Sequence, residues 1–196
     1  MAVLYFDTMT TENFSNQLLI AMPTLLDPNF HHAVAYICNH DEEGAMGIII
    51  NQPTDVVLTD ILEHMDIDDY REQTDQVFLY RGGPVQPEYG FVIHHNNPLD
   101  RWDSTLTMND EIAVTASRDI ITAIAHNTGP KESMIALGYA GWGPGQLERE
   151  IADNSWFLGP VSHDILFHLP HDQRWQKAAE SSGIDLSRLS VLSGHA

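Results

Sequence analysis

The sequence predicts a single domain of the α+β class. Strand-like spacing of apolar residues dominates the first half of the chain, and helix-like spacing becomes frequent only later. No regular alternation of strand and helix appears, which argues against a doubly wound α/β fold. The 196 residues and the hydrophobic share of 43% suit one domain that buries a full core.

The predicted strands are short apolar runs that end at turn residues. The first run, QLLIAM at 17–22, is stopped by Pro23. HAVAYIC (32–38) and AMGIII (45–50) predict a hairpin around NHDEEG. Four further runs have the same character: VFLY (77–80), YGFVIHH (89–95), EIAVTA (111–116) and SMIALGYA (133–140). We expect residues 1–16 to be a loosely ordered N-terminal segment, and residues 17–196 to form the domain.

Helices are predicted between and after these strands. Leu58, Ile61, Leu62 and Met65 have the spacing of an amphipathic helix. A second helix is predicted to start after Ser117 as N-cap and to end before Gly129. A third helix is predicted to start near Pro144, and a fourth to cover residues 171–182.

The charge balance excludes several classes of function. The chain has 9 Lys and Arg against 28 Asp and Glu, a net charge of −19. Direct nucleic-acid binding is therefore the least expected function, because about 6–10 phosphate contacts would need nearly every basic residue on one face. The same negative field disfavours anionic membranes, whereas it suits a basic protein partner. The single cysteine, Cys38, and the lack of a basic leader and of a long apolar run predict a cytoplasmic protein with no membrane segment.

No recognised catalytic, metal or cofactor motif is present. The glycine-rich segment around Trp142 matches neither the dinucleotide nor the P-loop pattern. His163 and His168 are five residues apart, which does not suit one face of an α-helix, whereas Cys38 and His40 should share one face of a strand. We therefore expect no metal site and no cofactor from sequence spacing alone.

Several residues are nevertheless candidates for ligand contacts. Arg118, at a predicted helix start, is the best single candidate for binding an anion, although it could instead pair with a carboxylate. Trp142 could be a core anchor or the wall of a pocket. The full candidate set is Asn51, Gly82, Gly83, Pro84, His94, Ser117, Arg118, Trp142, Gln146 and Asn154.

Longer segments of the chain resemble one known family. LLIAMPTLLDPNF, YICNHDEEGAMGIIINQPTD, RGGPVQPEYGFVIHH, TASRDI, LGYAGWGPGQLEREIADNSW and the terminal SGHA are similar to the AlgH/YqgE family of bacterial proteins. Two small departures are Asn39, where the family often has Glu, and Gln52, where a basic residue is usual. The resemblance implies one compact cytosolic domain with a bifurcated, coiled, partly barrel-like mixed β-sheet packed by helices. Some members are labelled transcriptional regulators, and the resemblance carries over no catalytic residue or ligand.

Three functions follow from these observations. A non-catalytic regulatory or adaptor protein that binds a protein or a small ligand fits the missing catalytic motifs and the negative charge. An enzyme is the alternative, with a pocket around Arg118, His94 and the glycine-rich loops. Direct DNA binding ranks last.

Overall fold

The computed structural model describes residues 13–71, 74 and 76–186. The predictions for residues 1–12 and for the terminal SGHA segment lie outside these residues. Within residues 13–16, Phe14 is buried and its amide donates to Nδ1 of His40 at 3.1 Å. None of the described helices is both long enough and apolar enough to cross a lipid bilayer.

The described chain forms a mixed sheet with helices at its faces. The strands are β1 (Gln17–Ala21), β2 (Val34–Asp41), β3 (Gly44–Ile49), β4 (Pro53–Val57), β5 (Phe78–Arg81), β6 (Val85–His95), β7 (Thr105–Thr107), β8 (Ile112–Thr115), β9 (Ser133–Trp142) and β10 (Trp156–Pro160). The helices are α1 (Leu58–His64), α2 (Arg118–Ala125), α3 (Gln146–Ala152), a π-helix (Asp164–His168) and α4 (His171–Ser181).

The sheet divides at the long strand β9. The main path runs β10-β1-β2-β3-β9-β6-β8-β7, and a branch leaves β9 through β5 to β4. The end of β9 pairs antiparallel with β3, while its middle pairs parallel with β5. β6 pairs with one edge of β9. β3 and β5 therefore both pair with the opposite edge, at different positions along β9. This fork confirms the expected bifurcated sheet in an α+β fold.

Glycines permit the close backbone approach at the fork. Gly82 donates its amide to the Leu137 carbonyl and accepts from the Ile49 amide, both at 2.8 Å, so it joins the two branches. A Cβ on Gly83 would lie 2.0 Å from the backbone of Tyr139. A side chain there would therefore force the two strands apart.

Three apolar clusters form the core on the faces of the divided sheet. The first packs one face of β1, β2 and β3 against the π-helix and α4. The second, with Trp142 and Trp156, lies on the opposite face under α3. The third lies between α1, α2 and the strands β5, β6 and β9.

The predicted strands and helices match the structure within a few residues, and three strands were missed. β7 is three exposed residues without an apolar pattern, and β4 begins at Pro53, where sequence alone indicates a break. β10 contains Gly159 and ends at Pro160. Their pairing partners, rather than their own residues, make them strands.

Candidate functional site

An apolar groove, called here the α1–α2 groove, opens between α1, α2 and the sheet beside them. Its volume is about 740 Å³. Apolar walls are formed by Val56, Ile61, Met65, Leu79, Ile121, Ile135 and Leu137. The rim carries Asp60, His64, Glu88, Tyr89, Ser117 and Arg118. Tyr89 is 56% exposed and presents its ring at this rim.

The candidates Ser117 and Arg118 line this groove. The Arg118 guanidinium donates to the carbonyl of Met65, which caps the end of α1. The Ser117 hydroxyl lies within hydrogen-bond distance of Asp119 and of the Asp103 carbonyl. The described contact of Arg118 is thus to a carbonyl and not to a carboxylate.

Asp119 is held by several donors at the start of α2. Burial by itself would raise the pKa of the Asp119 carboxyl, but hydrogen bonds from Ser117 and from the amides of Asp103 and Ile120 outweigh it. The net result is a pKa below the ordinary value for aspartate.

The candidate His94 lies in a different hollow, of about 380 Å³, together with Trp102. Its Nδ1 is 2.9 Å from the His95 carbonyl and its Nε2 is 2.9 Å from the Thr115 hydroxyl. A carbonyl only accepts, so Nδ1 carries the proton and Nε2 accepts from Thr115. Burial lowers the pKa of His94, and the imidazole stays neutral inside the sheet.

Asn51, Gly82, Gly83 and Pro84 lie near the sheet fork. Asn51 accepts from the Val34 amide and donates to the His32 carbonyl, both at 2.8 Å. The two glycines pack against the backbone of β9, and Pro84 is exposed beside them. These contacts hold strands together, and a ligand role for the four residues stays a prediction.

Trp142, Gln146 and Asn154 surround α3. Trp142 is 5% exposed and its Nε1 donates to Glu150 at 2.9 Å, which favours the core-anchor interpretation. Gln146 accepts from the Gly143 amide at 3.0 Å and donates to Glu150 at 2.8 Å. Asn154 is exposed just after the helix, with a φ of 56°. The groove lined by Arg118 and the hollow lined by His94 contain none of these three residues.

A second group of polar side chains, called here the histidine–carboxylate cluster, gathers three imidazoles around Glu132. His163 Nε2 is 3.0 Å from one oxygen of Glu132, and His168 Nε2 is 2.7 Å from the other. His95 joins from the end of β6, and Asp164 reaches His168 Nδ1 at 3.5 Å. The hydrogen bond from His168, with the nearby His163, lowers the pKa of the Glu132 carboxyl.

The π-helix makes this cluster possible. The expectation that His163 and His168 cannot share a helical face was wrong, because their rings lie 5.2 Å apart. The Leu169 amide bonds to the Asp164 carbonyl five residues earlier, at 2.9 Å. Such wider turns bring residues five apart onto one side.

The expected common face for Cys38 and His40 was also wrong. A β-bulge between Ile37 and Asn39 shifts the register of β2. Cys38 packs in the first core cluster, whereas His40 stacks on Phe14 of the second at 4.7 Å. His40 Nε2 faces Glu148 at 3.1 Å, which links the hairpin to α3.

Sequence reasoning missed the residues that only tertiary contacts bring together. His95 ends β6, Glu132 precedes β9 and His163 precedes the π-helix, so no local spacing marks the three residues as a group. Asp60 and Glu88, which both line the α1–α2 groove, are likewise distant in sequence.

Comparison with known proteins identifies the family. The AlgH-like family model matches residues 18–187. A UPF0301 protein of Thioalkalivibrio sulfidiphilus is 55% identical over 186 residues, covering 95% of this chain and 98% of that protein. A UPF0301 protein of Nitrosococcus oceani is 48% identical over 183 residues, covering 93% and 97%.

Two solved structures share the fold. The solution structure of the AlgH protein from Pseudomonas aeruginosa has a TM-score of 0.78 and 41% identity, with 100% of each chain covered. The crystal structure of protein DIP2367 from Corynebacterium diphtheriae has a TM-score of 0.72 at 21% identity, covering 91% of this chain and 92% of that one, and supports the fold alone. The chain therefore belongs to the AlgH-like family of UPF0301 proteins.

Proposed function

We propose that the protein is a non-catalytic binding module whose α1–α2 groove receives a basic, amphipathic segment of a partner protein. The observation that carries the proposal is an open apolar groove with carboxylates at its rim, on a chain of net charge −19. The proposed occupant places apolar side chains in the groove and Lys or Arg side chains at the rim.

The apolar walls would supply most of the binding free energy. Ile61 on α1 and Met65 at its end line the groove and pack against the third core cluster, to which Ile121 on α2 belongs. Burying such surface stabilises a complex by about 25 cal/mol per Å² before the costs of association are subtracted. A helical segment with apolar residues on one side suits this kind of groove.

Charge supplies the selectivity. Asp60 and Glu88 are exposed at the rim and outnumber the one guanidinium there, that of Arg118, which donates to the Met65 carbonyl. The negative field of the whole chain would speed the approach of a basic partner and repel an acidic one.

A regulatory role would then be indirect. A chain with this charge acts on transcription through a protein partner rather than by holding DNA itself. We also propose a cytoplasmic location, because the one cysteine, Cys38, is a buried free thiol.

The enzymatic alternative needs Arg118, His94 and the glycine-rich loops to converge on one pocket. Arg118 lines the α1–α2 groove, His94 lines another hollow, and Gly82 and Gly83 pack on β9. No observation on these residues favours it over binding.

The test uses two synthetic helical peptides followed by amide NMR on the 15N-labelled protein. One peptide has Leu on one face and Lys on the other, and the second carries Glu in place of each Lys. We expect the basic peptide to shift amides of α1 and α2 and to bind at least about tenfold more tightly than the acidic one. Its affinity should fall as salt rises.

Three variants locate the binding. Ile61→Asp should abolish the shifts, and Glu88→Lys should weaken the basic peptide several-fold. Glu43→Lys makes the same charge change at the β2–β3 turn and should have a much smaller effect. Equal binding of both peptides, shifts mapped away from the groove, or equal effects of Glu88→Lys and Glu43→Lys would each contradict the proposal.

A further inference from the structure

We propose that His95, Glu132 and His163 form a binding site for Zn²⁺. Each residue offers one ligand atom, and these atoms all lie within 4.8 Å of one another. Two imidazoles and a carboxylate are an established donor set for zinc with one coordination position left open. The site lies apart from the α1–α2 groove, with which it shares no residue.

The geometry is close to that of a bound ion. Zn–N and Zn–O bonds of about 2.1 Å place neighbouring tetrahedral ligand atoms about 3.4 Å apart. His163 Nε2 and Glu132 Oε2 are already 3.0 Å apart. Since no pair of these atoms is more than 4.8 Å apart, a closure of at most about 1.4 Å is needed, which side-chain rotations supply.

The supporting structure positions all three ligands from rigid elements. His95 is the last residue of β6, and its amide donates to the Glu132 carbonyl at 3.0 Å. Glu132 directly precedes β9, and His163 directly precedes the π-helix. One backbone hydrogen bond therefore holds His95 and Glu132 next to each other, while the π-helix fixes the position of His163.

His168 and Asp164 act as positioning residues. His168 Nε2 holds the Glu132 oxygen that does not face His163, at 2.7 Å, and Asp164 faces the other nitrogen of His168 at 3.5 Å. Hydrogen-bonded partners of this kind orient metal ligands and tune their affinity. The contacts from Asp164 to His168 and from His168 to Glu132 Oε1 thus leave Glu132 Oε2 available for the ion.

A metal also accounts for the crowding of the imidazoles. The ring centroids of His95 and His163 are 6.0 Å apart, and those of His163 and His168 are 5.2 Å apart. Imidazole nitrogens that converge on one bound cation would account for these short ring separations.

A hollow of about 580 Å³ adjoins the cluster and is lined by two of the three proposed ligands, His95 and Glu132. Asn97, Asp100 and Lys131 lie around it. A water molecule or a small anion could complete the coordination from this side, with the Lys131 ammonium nearby.

The experiment is calorimetric titration of the metal-free protein with Zn²⁺, repeated on variants. We expect one Zn²⁺ per chain in the micromolar range or tighter, with Glu132→Gln and His163→Asn each weakening binding at least about tenfold. His168→Asn should weaken it less. His126→Asn removes a histidine outside the cluster and should leave the affinity unchanged.

Two further readouts separate a lost ligand from a lost fold. Thermal unfolding of each variant without metal shows whether it is folded, and Zn²⁺ should raise the Tm of the wild type but not of His163→Asn. Co²⁺ in place of Zn²⁺ should give the visible absorption of a four- or five-coordinate site. Absence of stoichiometric binding, or Zn²⁺ binding that survives both Glu132→Gln and His163→Asn in folded protein, would overturn the proposal.

Discussion

Trp142 donates its indole Nε1 to Glu150 Oε2 at 2.9 Å, and this bond ties the end of β9 to α3. The same oxygen accepts from Trp156 Nε1 at 2.9 Å, so one carboxylate satisfies two indole donors in the second core cluster. A carboxylate is tolerated at this sheet–helix contact because it accepts both hydrogen bonds.

The first prediction concerns this carboxylate. Glu150→Ala should lower the free energy of unfolding by about 2 kcal/mol or more, because it leaves the Trp142 and Trp156 donors without their acceptor. Glu150→Gln keeps one acceptor oxygen and should cost less. Urea unfolding monitored by tryptophan fluorescence measures both, with the exposed Asp153→Ala as the control. Equal losses for Glu150→Ala and Asp153→Ala would contradict this role.

The second prediction concerns the sheet fork. Gly83→Ala should destabilise the protein by about 3 kcal/mol, because its Cβ would lie 2.0 Å from the Tyr139 backbone. Gly90→Ala is the matched control, since a Cβ there meets nothing within 4 Å. It should stay within about 0.5 kcal/mol of the wild type. Similar Tm values for the two variants would show that the fork tolerates a side chain.

The third prediction concerns Cys38. Burial raises the pKa of the Cys38 thiol to about 12, so almost no thiolate is present at pH 8. Native protein should therefore react with a thiol reagent at least about a hundredfold more slowly than free cysteine. Reaction should become fast in guanidinium chloride. Rapid labelling of folded protein would show that Cys38 is accessible.

The fourth prediction concerns Asp119 and acid stability. Because its pKa in the folded protein is below the ordinary value of 3.8, its charged form stabilises the fold above that pH. This contribution is lost as the pH falls through the folded pKa. Because this carboxyl is partly exposed and screened by solvent, Asp119→Asn should cost less than about 1 kcal/mol at pH 7 and less still at pH 3.

Urea unfolding at the two pH values measures the Asp119 effect. Asp153→Asn, an exposed substitution at the end of α3, serves as the charge-matched control. A penalty for Asp119→Asn that is the same at pH 3 and pH 7 would show that charge plays no part in the contacts of Asp119.

Local pattern was enough to predict most of the fold. The apolar runs located β1, β2, β3 and β9, and the spacing of Leu58, Ile61 and Leu62 located α1. Ser117 precedes α2 as predicted. These features follow from the periods of strand and helix, which are properties of neighbouring residues.

The sequence alone therefore determined the α+β class, the acidic charge and most element positions. Only the tertiary structure decided which polar residues meet. The bulge in β2 adds one residue to the strand, so Cys38 and His40 lie on opposite faces instead of one. The π-helix after β10 adds one residue to a turn, so His163 and His168 share a side that an α-helix would not give them. Glu132 reached His163 because β9 and the π-helix pack together, and contacts between distant elements leave no spacing in the chain.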